Sequence, residues 1–372
     1  MGLRQPRARS PRSPRAGAGG AGALRRSLLA IALVGLAAVV APLAPAAAHV
    51  PDGFATSVFA RAIDRPTAMA WGPDGRLYAT LEGGAVVSFA RSGGRPRPFL
   101  GGLEVPLGLV WLGDDLYVAQ RGRVEAVTMK RGKPTRRRAI LRGLPHGLHQ
   151  QDALVVGEDG RIYLGSGSTC DACAEASGLA ATVLSFRPNG SDLRVEARGL
   201  RNPYGLAVQP GTGEIYVSTN GRDTLDGPSG PEPADSVVRL RRGADFGWPS
   251  CWPSARLLRL RGACKGVTPP VAYLEPHAGA AGMAFYDGDA FPAAYHGDLF
   301  VAEWGQFLFP DFGREVTRIE LRPNRAARVT AFATGIEHPI AVAVHPDGSL
   351  LVADYGTFGR PSAGSIIRIR AT

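Results

Sequence analysis

Three groups of polar residues in this chain could move a proton and steady the charge left behind. They are His149 with Gln150 and Gln151, Arg201 with Asn202, and the separate histidines His277 and His338. A histidine titrating near neutrality is a natural general base toward a hydroxyl, and a nearby arginine can stabilise the anion that develops. His149 and Arg201 fit those two roles. At any one of these positions a hydrogen-bonded structural histidine is the competing reading. Each group stands just ahead of an apolar segment. Arg201 and Asn202 directly precede Pro203, which biases the backbone there to extended geometry and places their side chains at the start of a strand.

The elements that must position these groups recur along the chain. In the stretch Gly199 to Asp223, an apolar segment (Tyr204 to Val208), a turn (Gln209 to Gly213) and a second β-rich segment (Glu214 to Ser218) read as strand, hairpin, strand. Similar copies start at Arg65, Val105, His149, Gly279 and His338. Their equivalent positions, Tyr78, Tyr117, Tyr163, Tyr216, Phe300 and Leu351, lie 39, 46, 53, 84 and 51 residues apart. That spacing suits four-stranded propeller blades with insertions. The expected fold is therefore all-β, a six-bladed β-propeller of four-stranded antiparallel blades over residues 49–372. Phe54 to Ala60 precedes the first full copy and is expected to close the ring as the missing outer strand of the last blade. Loops leading into the inner strands gather on one face of a propeller, so the groups above should converge there.

Glycine and proline are plentiful and no window shows a sustained helical period, in keeping with an all-β chain. The first 26 residues hold seven arginines and no acid, and Ser27 to Ala48 carries no charge and ends in three alanines. This pattern predicts a signal peptide over residues 1–48, with Arg25 and Arg26 compatible with twin-arginine export to the periplasm, the cell envelope or the medium. An uncleaved membrane anchor is the alternative. Without the leader, 36 basic residues face 32 acidic ones, so the charge gives no support to a nucleic-acid-binding role. The sharp basic run Lys130 to Arg138 reads as a solvated hairpin.

Four cysteines fall in two local pairs, and two short disulfides, Cys170–Cys173 and Cys251–Cys264, are expected in an exported chain. Zinc is the rival reading, and Ala174 excludes covalent haem at the first pair. An insertion over about 222–276 carries Cys251 and Cys264 and is either a lid over the central site or a surface loop.

Several long motifs resemble the glucose/sorbosone dehydrogenase family: GLRNPYGLAVQPGTGEIYVSTNGRD at Gly199, GADFGWPSC at Gly243, GVTPPV at Gly266 and GMAFYDGDAFPAAYHGDLFVAEWG at Gly282. SGSTCDACAE at Ser166 is similar to a cysteine-pair loop of one branch. The resemblance implies a six-bladed propeller that uses pyrroloquinoline quinone (PQQ), with Ca²⁺ a further candidate. A sugar or polyol hydroxyl would be oxidised to a lactone, acid or ketone, and an electron acceptor is the implied partner. It implies His149 as the base, Arg201 as the charge-stabilising group, and Asn202 and Asp354 as cofactor contacts.

The chain departs from the family pattern at several points. His338 and Ile340 stand where two arginines are expected, Arg314 and Glu315 where a lysine is expected, and Ser168 where an aspartate would orient the base. In the acidic calcium-loop pattern Asp235 is kept, a metal candidate, but Ser236 replaces an acid. His338, Arg314 and Arg222 are the candidate substitutes for the missing cations. Two further readings are a calcium-dependent lactonase-type hydrolase and a non-catalytic propeller that binds glycans or proteins. The leading residues carry more His and Arg than Asp and Glu, which disfavours the hydrolase.

Overall fold

Local turn chemistry shapes the repeat. In GPDGRLY and GEDGRIY, Asp74 and Asp159 each accept a backbone N–H two residues on, from Arg76 (3.2 Å) and Arg161 (3.1 Å). The tyrosine opening the next strand then bonds the same carboxylate, Tyr78 to Asp74 at 2.9 Å and Tyr163 to Asp159 at 3.0 Å. An Asp-initiated turn of this kind reverses the chain tightly between two apolar runs.

The computed structural model describes residues 48–225, 230, 232–306, 312–322 and 327–372. Apart from Ala48, the expected leader lies outside the described residues. The strands form six small antiparallel sheets, one per repeat, arranged as a six-bladed β-propeller. The inner strands are Pro66–Trp71, Gly108–Leu112, Gln151–Val156, Leu206–Val208, Ala280–Phe285 and Pro339–Val344, and each packs on the next around the ring. The last blade is completed by Phe54–Ile63, which pairs antiparallel with Gly364–Ala371. This is the closure expected from Phe54 to Ala60, extended by three residues.

The core lies between blades. Tyr78, Tyr117, Phe300 and Leu351, four of the six equivalent positions, are almost fully buried. Each such side chain contributes about 1.5–3 kcal/mol on removal from water. No helix among the described residues is long and apolar enough to cross a membrane.

The insertion leaves blade four after Ala234–Arg239 and returns as its outer strand, Ala272–Pro276. On the way, Ala244–Asp245 adds a parallel edge to blade three, and Cys251–Ser254 pairs with Arg259–Gly262 in a hairpin. Both expected disulfides are present, Cys170–Cys173 and Cys251–Cys264.

Candidate functional site

The loops ahead of the inner strands surround a cavity of about 810 Å³. Val105, His149, Gln150, Arg201, Asn202 and His277 line it, so the leading residues of blades two to five converge. Three leading residues hold left-handed backbone: Arg65 (φ 48°), Val105 (φ 44°) and His277 (φ 57°). For a β-branched residue such as Val105 that geometry is strained, and the surrounding ring must hold it there.

Ser168 joins the two central residues. Its carbonyl accepts the His149 N–H (3.0 Å) and its own N–H donates to the Arg201 carbonyl (2.7 Å). Its hydroxyl donates to the Cys170 carbonyl at 2.7 Å and lies 2.9 Å from His149 Nδ1. Because the hydroxyl proton is already committed, Ser168 Oγ accepts from Nδ1–H. The neutral ring then carries its lone pair on Nε2. Burial, and next the Arg201 charge, lower the His149 pKa to about 3. The ring is therefore a free base throughout the physiological range. Gly167 permits the close approach: a Cβ there would lie 2.4 Å from the His149 Cβ.

Arg201 is 4% exposed and is held by two carboxylates, Asp171 at 2.8 Å and Asp223 at 2.6 Å, both to one terminal nitrogen. Its Nε is buried without a partner. Asp171 lies between the bridged cysteines. It also accepts the N–H groups of Asp223 (2.7 Å) and Thr224 (3.2 Å) and the Thr224 hydroxyl. Burial opposes its ionisation, but the bonds from Thr224, Asp223 and Arg201 hold its carboxyl below the usual range. The Trp248 indole donates to the Asp171 carbonyl at 2.9 Å, which anchors the insertion to the same loop. The Cys170–Cys173 loop thus clamps the base through Ser168 and the arginine through Asp171.

Asn202 donates to Asn220 (2.7 Å), and its own Oδ1 is buried and unpartnered. Both Asp235 oxygens are occupied by N–H donors: Gly221 at 2.8 Å, and Ala280 at 2.9 Å with Asn220 at 3.3 Å. Burial raises its pKa despite those bonds.

The far wall has a different character. His338 does not line the cavity. Its ring stacks on Trp304 (4.1 Å between centroids, 17° between planes), and its Nδ1–H bonds the Trp304 carbonyl at 2.8 Å. Asp354 accepts the N–H groups of His338 and Gly356, each at 2.9 Å. Asp354 and His338 therefore stand behind Trp304, and it is Trp304 that faces the cavity. Arg314 also lies outside the lining. Its guanidinium reaches the Gln306 carbonyl at 3.4 Å, with Nε buried and unpartnered.

Sequence reasoning missed several cavity residues. Glu82 accepts from Arg65 (2.6 Å) and Tyr355 (3.0 Å) across blades one and six. Asp152 is 1% exposed, and one of its oxygens has no partner. Burial lifts its carboxyl well above the usual range. Its position in HQQDAL, three residues after His149, was the available signal. For Asp171 the signal was an acid enclosed by the cysteine pair.

The family model for glucose / sorbosone dehydrogenase matches residues 115–362. An aldose sugar dehydrogenase from Streptomyces coelicolor, solved in its PQQ-bound form, superposes with a TM-score of 0.68 at 19% identity, over 87% of this chain and 99% of that one. The soluble aldose sugar dehydrogenase of Escherichia coli, in its apo form, gives 0.68 at 20% identity, over 86% and 100%. A calcium structure of a Trichoderma reesei carbohydrate-active enzyme of family AA12 gives 0.73 at 14% identity, over 88% and 98%. At these identities the superpositions speak for the fold.

Proposed function

Since the chain belongs to the glucose/sorbosone dehydrogenase family, we propose that it is an exported, PQQ-dependent oxidoreductase that oxidises a sugar or polyol hydroxyl, with His149 as the general base. The observation that carries this reading is the bond from His149 Nδ1–H to a serine hydroxyl whose own proton is committed elsewhere. It leaves an unprotonated Nε2 lone pair on a histidine that lines the cavity.

The residues present fit a flat polyanion of the PQQ type. Arg201 Nε and His277 Nε2 are buried without partners on residues lining the cavity, and Arg121 adds a second guanidinium. Trp304 and Tyr355 give the far wall flat apolar surface. Arg201, Asn202, His277 and Arg121 would hold the group against Trp304. When bound, PQQ supplies the two-electron oxidant that accepts hydride from the carbinol carbon.

The chain's own part is proton chemistry and charge placement. His149 Nε2 takes the hydroxyl proton, and the fixed Arg201 guanidinium stabilises the alkoxide charge as it develops. A calcium role is not assigned, because among the described residues no three carboxylates converge to hold a cation. The one close group is Cys170, Cys173 and Glu175, and its sulfurs are joined in a disulfide. The same observation counts against the calcium-dependent hydrolase. Export draws its support from the leader pattern and the two disulfides.

The test is calorimetric titration of the leaderless chain with PQQ, followed by reduction of an artificial electron acceptor over a panel of aldoses and polyols. Saturable binding and sugar-dependent reduction are expected. No PQQ binding would sink the reading.

A further inference from the structure

The stapled hairpin of the insertion has no part in the cavity chemistry. Its tip, residues 255–258, joins Cys251–Ser254 to Arg259–Gly262 and presents two leucines to solvent, Leu257 at 36% and Leu258 at 61% exposure. Leu258 holds left-handed backbone, φ 48°. A turn that needed only to reverse the chain would place glycine or asparagine there. A bulky, exposed leucine in that conformation does nothing for the hairpin itself.

Charge points the same way. Arg256 and Arg259 flank the leucines, and Arg261 and Lys265 follow, while no acid occurs between Asp245 and Glu275. Among the described residues Arg256, Arg259 and Lys265 have no ion-pair partner; Arg261 meets Glu232 at 3.4 Å. The root is rigid, with the Cys251–Cys264 bridge, Trp252 bonded to Glu232 at 2.9 Å and Ser254 to Glu232 at 2.7 Å. Arg222 lies over the Trp252 ring at 5.2 Å. The chain's other basic hairpin tip, Lys130 to Lys133, carries no apolar side chain, and two arginines of its returning strand are already paired, Arg137 with Glu125 and Arg138 with Asp115.

We propose that the Arg256–Arg261 tip docks on an anionic lipid bilayer, with Leu257 and Leu258 entering the headgroup boundary and the surrounding cations meeting lipid phosphates. Apolar side chains ringed by unpaired cations, on a braced projection, match what a charged interface binds. This inference is independent of the oxidoreductase reading.

The strands that close the ring all lie within residues 54–371, so the propeller can be tested without its apolar leader. The probe is co-sedimentation of residues 49–372 with vesicles of phosphatidylcholine containing roughly one-third phosphatidylglycerol, against pure phosphatidylcholine. Binding to the anionic vesicles should exceed binding to neutral ones by at least about tenfold and weaken with salt. Leu257→Ser with Leu258→Ser, and separately Arg256→Glu with Arg259→Glu, should each lower binding by about tenfold or more, with unchanged melting. A Leu258→Trp variant should show a blue-shifted emission on anionic vesicles alone. The proposal is overturned if the parent protein stays in the supernatant. It is equally overturned if the leucine variants bind as tightly as the parent, which would leave charge attraction without apolar insertion.

Discussion

The two walls of the cavity are built on different principles. On the side of blades three and four, His149, Ser168, Arg201 and Asp171 form one continuous hydrogen-bonded chain through the Cys170–Cys173 loop. On the side of blades five and six, His277 alone of the leading residues lines the cavity, while Asp354 and His338 turn away and serve to hold Trp304. One wall fixes where a proton goes and where charge is tolerated. The other offers a flat surface whose position, more than its charge, is specified.

The contrast can be broken most forcefully at the base. His149→Ala should lower turnover by about 10²–10⁴-fold with the fold intact, and steady-state rates with a circular-dichroism control check it. Next is the clamp. Asp171→Asn should reduce kcat by about ten- to a hundredfold with a smaller change in KM, since it frees a buried arginine from one of its two carboxylates. Asp171→Glu should recover part of the loss, and an Asp171→Asn enzyme with parental kcat would mean that the clamp does not position Arg201.

Effects on the far wall should be smaller and of another kind. Trp304→Ala should weaken PQQ binding by about tenfold and leave the pH profile of turnover unchanged. His338→Phe keeps a ring against Trp304 but loses the Nδ1–H bond, so its cost should be nearer about 1 kcal/mol of stability, read from thermal melts.

The last effect is in pH, and it is read in stability and not in turnover. His149 is depressed from 6.5 to about 3 in the folded protein. Between those values the unfolded chain binds the extra proton, so folding weakens as pH falls through that window. The melting difference between the parent and His149→Gln should therefore shrink on acidification from about pH 6.5 toward pH 4. A difference independent of pH would contradict the depressed histidine.

Most of the fold was legible because its information is local. Asp-Gly turns and short apolar runs repeat at blade spacing, and Phe54 to Ala60 had the alternation of a strand with no blade of its own. His149, Arg201 and Asn202 were legible because the residues ahead of an inner strand start at the cavity rim, although His338, in the same kind of position, turns to Trp304. Asp171 was not, since a CxxC pair reads as a staple and nothing in its spacing shows that the enclosed acid reaches across to blade four. Asp354 was assigned by resemblance, and His338 and Arg314 as substitutes for cations that the resemblance implies and the chain lacks. The side chain that takes the cavity position, Trp304, comes from the neighbouring blade, and stacking between blades leaves no periodic trace in one sequence.

The pairing of Phe54–Ile63 with Gly364–Ala371 also sets an order of events. A ribosome delivers the first of these strands hundreds of residues before the second, so the ring cannot latch until synthesis reaches Gly364. Until then Phe54–Ile63 is an unmated edge, the kind of surface on which nascent chains aggregate. A product that stops short of Gly364 therefore lacks more than one strand of one blade: it has no closed state, and the left-handed Val105 and His277 lose the ring that holds them in place.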